Sequence, residues 1–429
     1  MIKELKEPRE IIEFIPEIKN DNAIIVGASD AIELKQTNKN DQHIVATRNI
    51  KSGEFIWISE PFAAIVNHDL RFTNCWHCCR STWAGVPCDN CPNIIYCSDI
   101  CKKKAWDSYH NIECLVLGSL LQHVGLTTEY ILPVKLFSKT LNLAGSLLEL
   151  KKKVDDIDSM KNRNTFANGI LDINTIDNFH LLDYLKPTSN DFIFELVLFG
   201  VLMVQLFGEK TDILGHKMTI KDLNKNEKSS ILGELILRYI LTVYRNSQLL
   251  TEPGTTAVLS HVISPVWKIL KSSCDPNVDW TYVGSNVGYY VIKPIKQGEP
   301  VLLATLGSYH LIPKINRFIP LGITDRILCK CKACVENWPT INNLPSYQNI
   351  ILPKKSKQEL NRIMPKWEDW HERVHHGDAK ELLTMKDTLN SMNDKLHQYI
   401  TVPCSQITVL FMFLKTLYKR LHTVHDIYE

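Results

Sequence analysis

Cysteines in short-spaced groups are the residues of this chain best suited to chemistry. Thirteen occur in 429 residues, and most fall within two segments, Cys75–Cys114 and Cys329–Cys334. Reducing compartments rarely keep disulfides, whereas cysteine pairs two or three residues apart chelate metal ions. The spacing therefore predicts structural zinc, which binds four thiolate or imidazole ligands in a tetrahedron.

The first segment offers eight ligands in four pairs. They are Cys75 with Cys78, Cys88 with Cys91, Cys97 with Cys101, and His110 with Cys114. Eight ligands suffice for two zinc sites, and zinc would supply the folding free energy that a tract of about 40 residues lacks. Spacing alone leaves open which pairs share an ion. Free thiols or disulfides are the alternative, and His77 and Cys79 fall outside the pairs.

The second segment supplies three thiols, one fewer than a closed zinc site needs. These are Cys329, Cys331 and Cys334. The candidates for a fourth ligand are Cys274, Cys404 and a distant histidine.

The first segment resembles a MYND zinc finger, with Tyr96 before Cys97 and Lys104-Ala105-Trp106 before His110. The resemblance implies interleaved sites. One would use Cys75, Cys78, Cys97 and Cys101, and the other Cys88, Cys91, His110 and Cys114. It also implies a closed, non-catalytic module that binds proteins or short proline-containing peptides.

The rest of the chain resembles the SET and MYND domain-containing (SMYD) family of protein-lysine methyltransferases. Residues 44–54 and 291–299 each predict a strand followed by a turn, similar to SET strand pairs. Ser273-Cys274-Asp275-Pro276-Asn277 resembles the motif that links the SET core to a post-SET zinc. The resemblance implies a third zinc, held by Cys274, Cys329, Cys331 and Cys334, with Cys79 and Cys404 left free.

The expected fold class is α+β, with a split, β-rich SET core and large helical additions. The expected parts are the N-terminal part of the SET domain (1–74), the inserted MYND zinc finger (75–114), a helical SET insertion (115–250), the SET core (251–310), a post-SET zinc segment (311–340) and a short helical C-terminal domain (341–429).

Three local patterns refine this organisation. A helical face is predicted from the spacing of Leu232, Leu235, Ile236, Tyr239 and Val243. Three lysines at 151–153 against acidic residues at 155–158 predict an exposed loop. The tail from about residue 356 predicts three helices, with Gly377-Asp378 between the first two and Pro403 before the last.

Composition excludes several classes of protein. Forty-nine basic residues against 47 acidic ones leave a net charge of +2, so no field marks a nucleic-acid or polybasic membrane binder. The N-terminus lacks a secretory apolar core, and the run Leu196–Val204 is far shorter than the about 20 residues that span a bilayer. We expect a monomer, cytoplasmic and/or nuclear, without membrane or direct nucleic-acid partners.

The resemblance also implies a pocket for S-adenosylmethionine, but most of its positions differ here. The family's Gly-x-Gly corresponds to Asp41-Gln42-His43, and side chains there obstruct a backbone that must approach the cofactor closely. The cofactor-binding Asn-His pair corresponds to Lys271-Ser272. Thr305 stands at the catalytic tyrosine and Asp325 at a second tyrosine, whereas Asn246 matches a cofactor-binding asparagine.

These differences favour a catalytically impaired family member that holds three zinc ions. It would act as a protein-interaction scaffold or transcriptional regulator. The alternative is an active S-adenosylmethionine-dependent protein-lysine methyltransferase, with histone or non-histone substrates and an altered pocket. In that case Tyr289, Tyr290 or Tyr309 would replace the missing tyrosine.

Overall fold

The computed structural model describes residues 16–38, 41–123, 128–160, 170–187, 189–251, 257–305, 307–317, 329–364 and 367–422. Its strands are β1 (Ile32–Asn38), β2 (Asp41–Ala46), β3 (Phe55–Ser59), β4 (Ala63–Val66), β5 (Val86–Pro87), β6 (Ile95–Tyr96), β7 (Gln248–Thr251), β8 (Val258–Ile263), β9 (Lys271–Ser272), β10 (Val278–Val283), β11 (Asn286–Val291) and β12 (Leu302–Leu303).

The helices fall mainly in the insertion and the tail. They are α1 (Asp99–Ala105), α2 (Asn111–His123), α3 (Thr128–Ala144), α4 (Leu147–Ser159), α5 (Ile176–His180), α6 (Asn190–Lys210), α7 (Ile220–Leu223), α8 (Glu227–Asn246), α9 (Val266–Ile269), α10 (Lys314–Arg317), α11 (Lys332–Val335), α12 (Lys354–Ile363), α13 (Trp367–His376), α14 (Ala379–Tyr399) and α15 (Ser405–His422). A single turn of π-helix, Trp106–His110, joins α1 to α2.

Short antiparallel sheets join two distant parts of the chain into one β-rich core. β11 lies between β10 and β3, and β8 lies between β4 and β7. β3 and β4 precede the cysteine-rich segment, whereas their partners follow the helical insertion. The segment and the insertion are therefore excursions from a single split core.

A parallel pair of short strands sets the geometry of the predicted cofactor pocket. In β9 and β12, Lys271 lies opposite Leu302 and Ser272 opposite Leu303. The amide of Ser273 continues the ladder by donating to the carbonyl of Leu303, at 2.9 Å. This pairing brings the residues before Cys274 beside those before Thr305.

The helical insertion packs the predicted face of α8 inward. Leu232, Leu235, Ile236, Tyr239 and Val243 are all buried, which confirms the periodicity. The predicted loop at the run of lysines is wrong, because residues 151–158 lie within α4. There Lys151 Nζ pairs with Asp155 one turn later, at 2.6 Å, and apolar residues at helical spacing cover the buried side.

Helix α6 is long and apolar enough to cross a membrane by length and composition, and 39% of its most apolar window is buried. This is weak evidence for a membrane span, because core helices pass the same test. In the described part of the chain, α6 packs against α2, α7 and α8.

The tail forms four described helices, α12 to α15, not the three expected. The first expected helix is divided into α12 and α13, and Pro365 lies between them in the sequence. Proline disfavours the helical conformation of the residue that precedes it. The tail packs on the β-rich core. Asp394 Oδ1 accepts from the amide of Ser52 at 2.9 Å, and the rings of Tyr290 and Tyr418 lie 4.1 Å apart.

Candidate functional site

The first four-ligand cluster joins the first and third ligand pairs of the cysteine-rich segment. The sulfurs of Cys75, Cys78, Cys97 and Cys101 lie within 4.8 Å of one another. Two of these distances are 3.6 Å, from Cys78 to Cys97, and 3.5 Å, from Cys97 to Cys101. Helix α1 presents Cys101 because Ser98 caps its first turn, with the side chain accepting from the Cys101 amide.

The second cluster alternates in sequence with the pairs of the first. It brings together Cys88, Cys91, His110 and Cys114. The sulfurs of Cys88 and Cys114 are 4.0 Å apart, and His110 Nε2 is 3.7 Å from the sulfur of Cys91. The two clusters are thus interleaved, as the resemblance implied.

A buried carboxylate orients the histidine of this second cluster. Glu113 Oε2 lies 2.7 Å from His110 Nδ1 and also accepts from Trp76 Nε1 at 3.0 Å. With Nδ1 engaged, Nε2 is left to face the three sulfurs, which is the arrangement of histidines that bind zinc. Glu113 was not predicted from the sequence, although its position one helical turn after His110 was the available signal.

The third cluster confirms the grouping of Cys274 with the three later cysteines. The sulfur of Cys274 is 3.9 Å from that of Cys329 and 3.5 Å from that of Cys334. Arg317 is buried beside them and donates from Nη2 to the sulfur of Cys334 at 3.5 Å. Its guanidinium would offset the negative charge of a zinc ion bound by four thiolates.

The donor chemistry and the spacing of all three clusters suit zinc. Tetrahedral zinc with bonds of about 2.3 Å to sulfur requires sulfurs about 3.8 Å apart. The sulfur–sulfur separations in the structure bracket this value, and they are far longer than the about 2.0 Å bond of a disulfide. All thirteen cysteines are free thiols. This excludes the alternative of disulfides.

The remaining candidate ligands lie outside the clusters. Cys79 is buried with a left-handed φ of +62°, Cys404 is buried in the tail, and His77 stacks on Tyr109. A further pattern, His371-Glu372-x-x-His375 on α13, brings two exposed imidazoles to 4.4 Å between ring centres. Among the described residues no third ligand joins them.

Three of the predicted cofactor and catalytic positions lie on or directly after the β9–β12 pair. Lys271, Ser272 and Thr305 are exposed, and the hydroxyls of Ser272 and Thr305 are hydrogen-bonded to each other. Gln42 and His43 lie half-buried in β2, while the side chain of Asp41 and the whole of Asp325 lie outside the described residues. Asn246 ends α8, where its Nδ2 donates to the carbonyls of Asp183 and Thr242 at 2.7 and 2.9 Å.

Three tyrosines considered as catalytic substitutes are packed away from solvent. Tyr289 and Tyr290 are both fully buried, the former beside Trp267 and the latter against Tyr418. Tyr309 is 4% exposed, and its hydroxyl lies 3.4 Å from Thr408 Oγ1 of α15. Burial raises the pKa of all three phenols, so they stay protonated.

Comparison with known families and proteins agrees with these features. The MYND finger model matches residues 75–114. The chain is 24% identical to the protein-lysine N-methyltransferase SMYD4 of Gallus gallus, over 66% of this chain and 47% of that protein. For the Homo sapiens protein of the same name the identity is also 24%, over 74% and 48%. A SET and MYND domain-containing protein of Dictyostelium discoideum is 22% identical, over 78% of this chain and 97% of that one.

Among solved structures, the SET domain of LSMT bound to lysine and AdoHcy covers 91% of this chain and 85% of its own, at 9% identity and a TM-score of 0.26. So low a score supports no inference about fold or ligand. The chain spans about half the length of the SMYD4 relatives it matches. The MYND match, the third cysteine cluster and the relatives confirm the expected α+β SET–MYND fold, and the chain is similar to SET and MYND domain-containing proteins of the SMYD family.

Proposed function

We propose that this chain is a zinc-stabilised scaffold that binds proteins through its MYND finger and does not transfer methyl groups from its SET pocket. The observation that carries the proposal is the hydrogen bond between Ser272 and Thr305. By resemblance these are the positions of the family's cofactor-binding histidine and catalytic tyrosine. Their short side chains contact each other, and neither supplies an imidazole or a phenol.

The hydroxyl of Thr305 cannot take the position that the phenol hydroxyl of the missing tyrosine would occupy. The threonine hydroxyl is attached to Cβ, whereas a tyrosine hydroxyl lies at the far end of a ring. Aligning a lysine amine with a methyl donor is largely an effect of positioning, and small displacements cost large factors in rate. Tyr309, the nearest alternative in sequence, is held beneath α15 by Thr408 and by an edge contact with Trp338 at 5.0 Å.

The cofactor side of the pocket also differs in charge. S-adenosylmethionine carries a positive sulfonium, a positive ammonium and a negative carboxylate, a net charge of +1. Lys271 places a cation where the family has a neutral asparagine, and this cation would repel the sulfonium and the ammonium while attracting the carboxylate. The substitution therefore changes the electrostatics at the amino-acid end of the cofactor.

The second candidate function is protein-lysine methylation. Asn246 supports it, because this residue matches the cofactor-binding asparagine and lies half-buried at the end of α8. The names of the SMYD4 relatives support it as well, since those proteins are called protein-lysine N-methyltransferases. Thr305 and Lys271 oppose it, because they stand at the family's catalytic tyrosine and at one of its cofactor-binding positions.

For the scaffold we further propose partners with short proline-containing segments, a monomeric state, and a cytoplasmic and nuclear location compatible with transcriptional regulation. Direct nucleic-acid and membrane partners are not expected. We also propose the six-part division of the chain, from residues 1–74 to 341–429, in which the MYND finger and the SET pocket belong to different parts.

Transfer of a tritiated methyl group from S-adenosylmethionine tests the proposal. Zinc-loaded protein is incubated with histones and with an unfractionated protein extract. We expect incorporation no greater than that of heat-inactivated protein. Incorporation that Asn246→Ala abolishes would establish the methyltransferase alternative instead.

A further inference from the structure

Two opposite charges are fully buried where the finger meets the helical insertion. Glu113 of α2 is 0% exposed and Lys135 of α3 is 1% exposed. Buried charges are costly unless paired and hydrogen-bonded, so both need an explanation. No described salt bridge joins them directly, yet each attracts the other electrostatically.

Trp76 connects the two charges. Its Nε1 donates to Glu113 Oε2 at 3.0 Å, and its carbonyl accepts from Lys135 Nζ at 3.0 Å. Lys135 Nζ also lies 4.6 Å above the centres of the Trp76 and Tyr109 rings. Trp76, which directly follows the candidate zinc ligand Cys75, thus contacts both charged groups.

Lys135 reaches beyond the finger. Its Nζ donates to the carbonyl of Ala64 in β4 at 2.9 Å. A single buried ammonium therefore ties α3 to both the finger and the β-rich core. Glu113, on the other side, uses Oε2 to hold His110 and leaves Oε1 without a hydrogen-bond partner in the described part of the chain.

Zinc would fix the positions of the groups around this lysine. Glu113 orients the candidate ligand His110, and the Trp76 carbonyl that accepts from Lys135 directly follows the candidate ligand Cys75. The contacts of the buried ammonium therefore depend on a finger geometry that a bound metal would hold.

We propose that Glu113 and Lys135 form a buried charge lock, which makes zinc binding at the Cys88, Cys91, His110 and Cys114 site and docking of the finger onto α3 and β4 one cooperative event. Linkage requires the effect to be reciprocal. Docking strengthens metal retention, and metal loss loosens the finger from the core. Glu113 and Lys135 are both positioning residues, and neither ligates the metal. This inference is independent of whether the SET pocket transfers methyl groups.

A double-mutant cycle in the full chain tests the lock. The variants are Lys135→Met, Glu113→Gln and their combination, each loaded with Co²⁺, whose visible spectrum separates a site with one imidazole from sites with four thiolates. We expect each single change to speed release of the imidazole-containing site to a chelator about 10–100-fold. The double variant should release it less than the product of the single factors, because no unpaired charge remains.

Lys139→Met is the matched control. Lys139 lies one turn further along α3, where its Nζ donates to the carbonyl of Phe62 and sits 4.4 Å above that ring. We expect wild-type release from this variant. Single changes that release metal like the control, or effects that simply multiply, would overturn the lock.

A measurement on the wild type covers the case in which Lys135→Met fails to fold. Stepwise chelation, with the ions counted by native mass spectrometry, is combined with hydrogen exchange. The lock predicts that amides of α3 and β4 lose protection when the imidazole-containing site empties. Unchanged protection there would contradict it.

Discussion

The hydroxyls of Ser272 and Thr305 are hydrogen-bonded to each other at the end of the β9–β12 pair. The parallel register fixes this relationship, because it places Ser272 opposite Leu303, two residues before Thr305. This contact places two short hydroxyl side chains where the family has a histidine and a tyrosine, so neither an imidazole nor a phenol faces an incoming lysine. The pocket's proposed loss of catalysis therefore rests on the backbone arrangement as well as on the residue types.

Restoring one catalytic side chain should not restore methylation. We expect Thr305→Tyr alone to be as inactive as the wild type, because Lys271 and the Asp41-Gln42-His43 stretch still oppose the cofactor. Combining it with Lys271→Asn, Ser272→His, Asp41→Gly and His43→Gly should produce measurable S-adenosylmethionine binding by calorimetry. Methyl transfer by the single variant would show that the cofactor side of the pocket is already competent.

Zinc content should follow the three clusters. We expect three ions per wild-type chain by plasma mass spectrometry and two in Cys274→Ser, because the third cluster would keep only three sulfurs. Cys404→Ser is the control, since this buried cysteine lies outside the clusters, and it should keep three ions. Three ions in Cys274→Ser would move the fourth ligand to another residue.

Two glycines with the same backbone conformation allow the contribution of tail docking to folding stability to be measured. Gly53 and Gly298 have φ of +84° and +82°, a region that costs an alanine about 1–2 kcal/mol. A Cβ at Gly53 would also overlap Asn390 and lie 2.5 Å from the Tyr418 hydroxyl, whereas at Gly298 it would meet nothing within 4 Å. Urea denaturation should show Gly53→Ala about 1–3 kcal/mol less stable than Gly298→Ala. Equal losses would mean that the tail does not rest on this turn.

A buried histidine predicts part of the acid sensitivity. Burial lowers the pKa of His180 to about 3, and its ring lies between the Ile176 carbonyl and the Tyr239 hydroxyl. The unfolded chain binds this proton near its ordinary pKa of about 6.5, so folded stability falls as the pH drops below that value and continues to fall toward 3.

The His180→Gln variant removes this titration. It should be less stable than the wild type at pH 7, and the difference should shrink by about 1.4 kcal/mol per unit between pH 6 and 4. Denaturation midpoints of the two chains at each pH measure the gap, and zinc loss is common to both. A gap that stays constant across this range would exclude His180 as the titrating group.

The metal chemistry was predictable because ligand spacing is local. Pairs such as Cys75 with Cys78 are visible in any reading of the sequence, but their interleaving is not. It arises because the nearly continuous helical segment from Asp99 to His123 carries Cys101 toward one cluster and both His110 and Cys114 toward the other. The family resemblance supplied that pairing, and the geometry agrees with it.

Neither the burial of charged residues nor the helical structure of a charged run could be predicted from the sequence. Nothing in the composition around Lys135 distinguishes it from the exposed lysines of α4, since burial depends on contacts with Ala64 and Trp76, 59 residues or more away. The run at 151–158 looked like a loop because charge dominates it, yet Val154 and Ile157 supply the inward face of a helix. Tertiary contacts decided both cases.

Calorimetric titration of S-adenosylmethionine into the zinc-loaded chain tests the proposed loss of catalysis most directly. A parallel thermal melt is informative, because a ligand at 100 times its dissociation constant stabilises a fold by about 2.7 kcal/mol. We predict no heat of binding and no shift in the melting temperature at millimolar cofactor. Micromolar binding would contradict the account, because it would show that the pocket accepts the cofactor despite Asp41, Lys271 and Thr305.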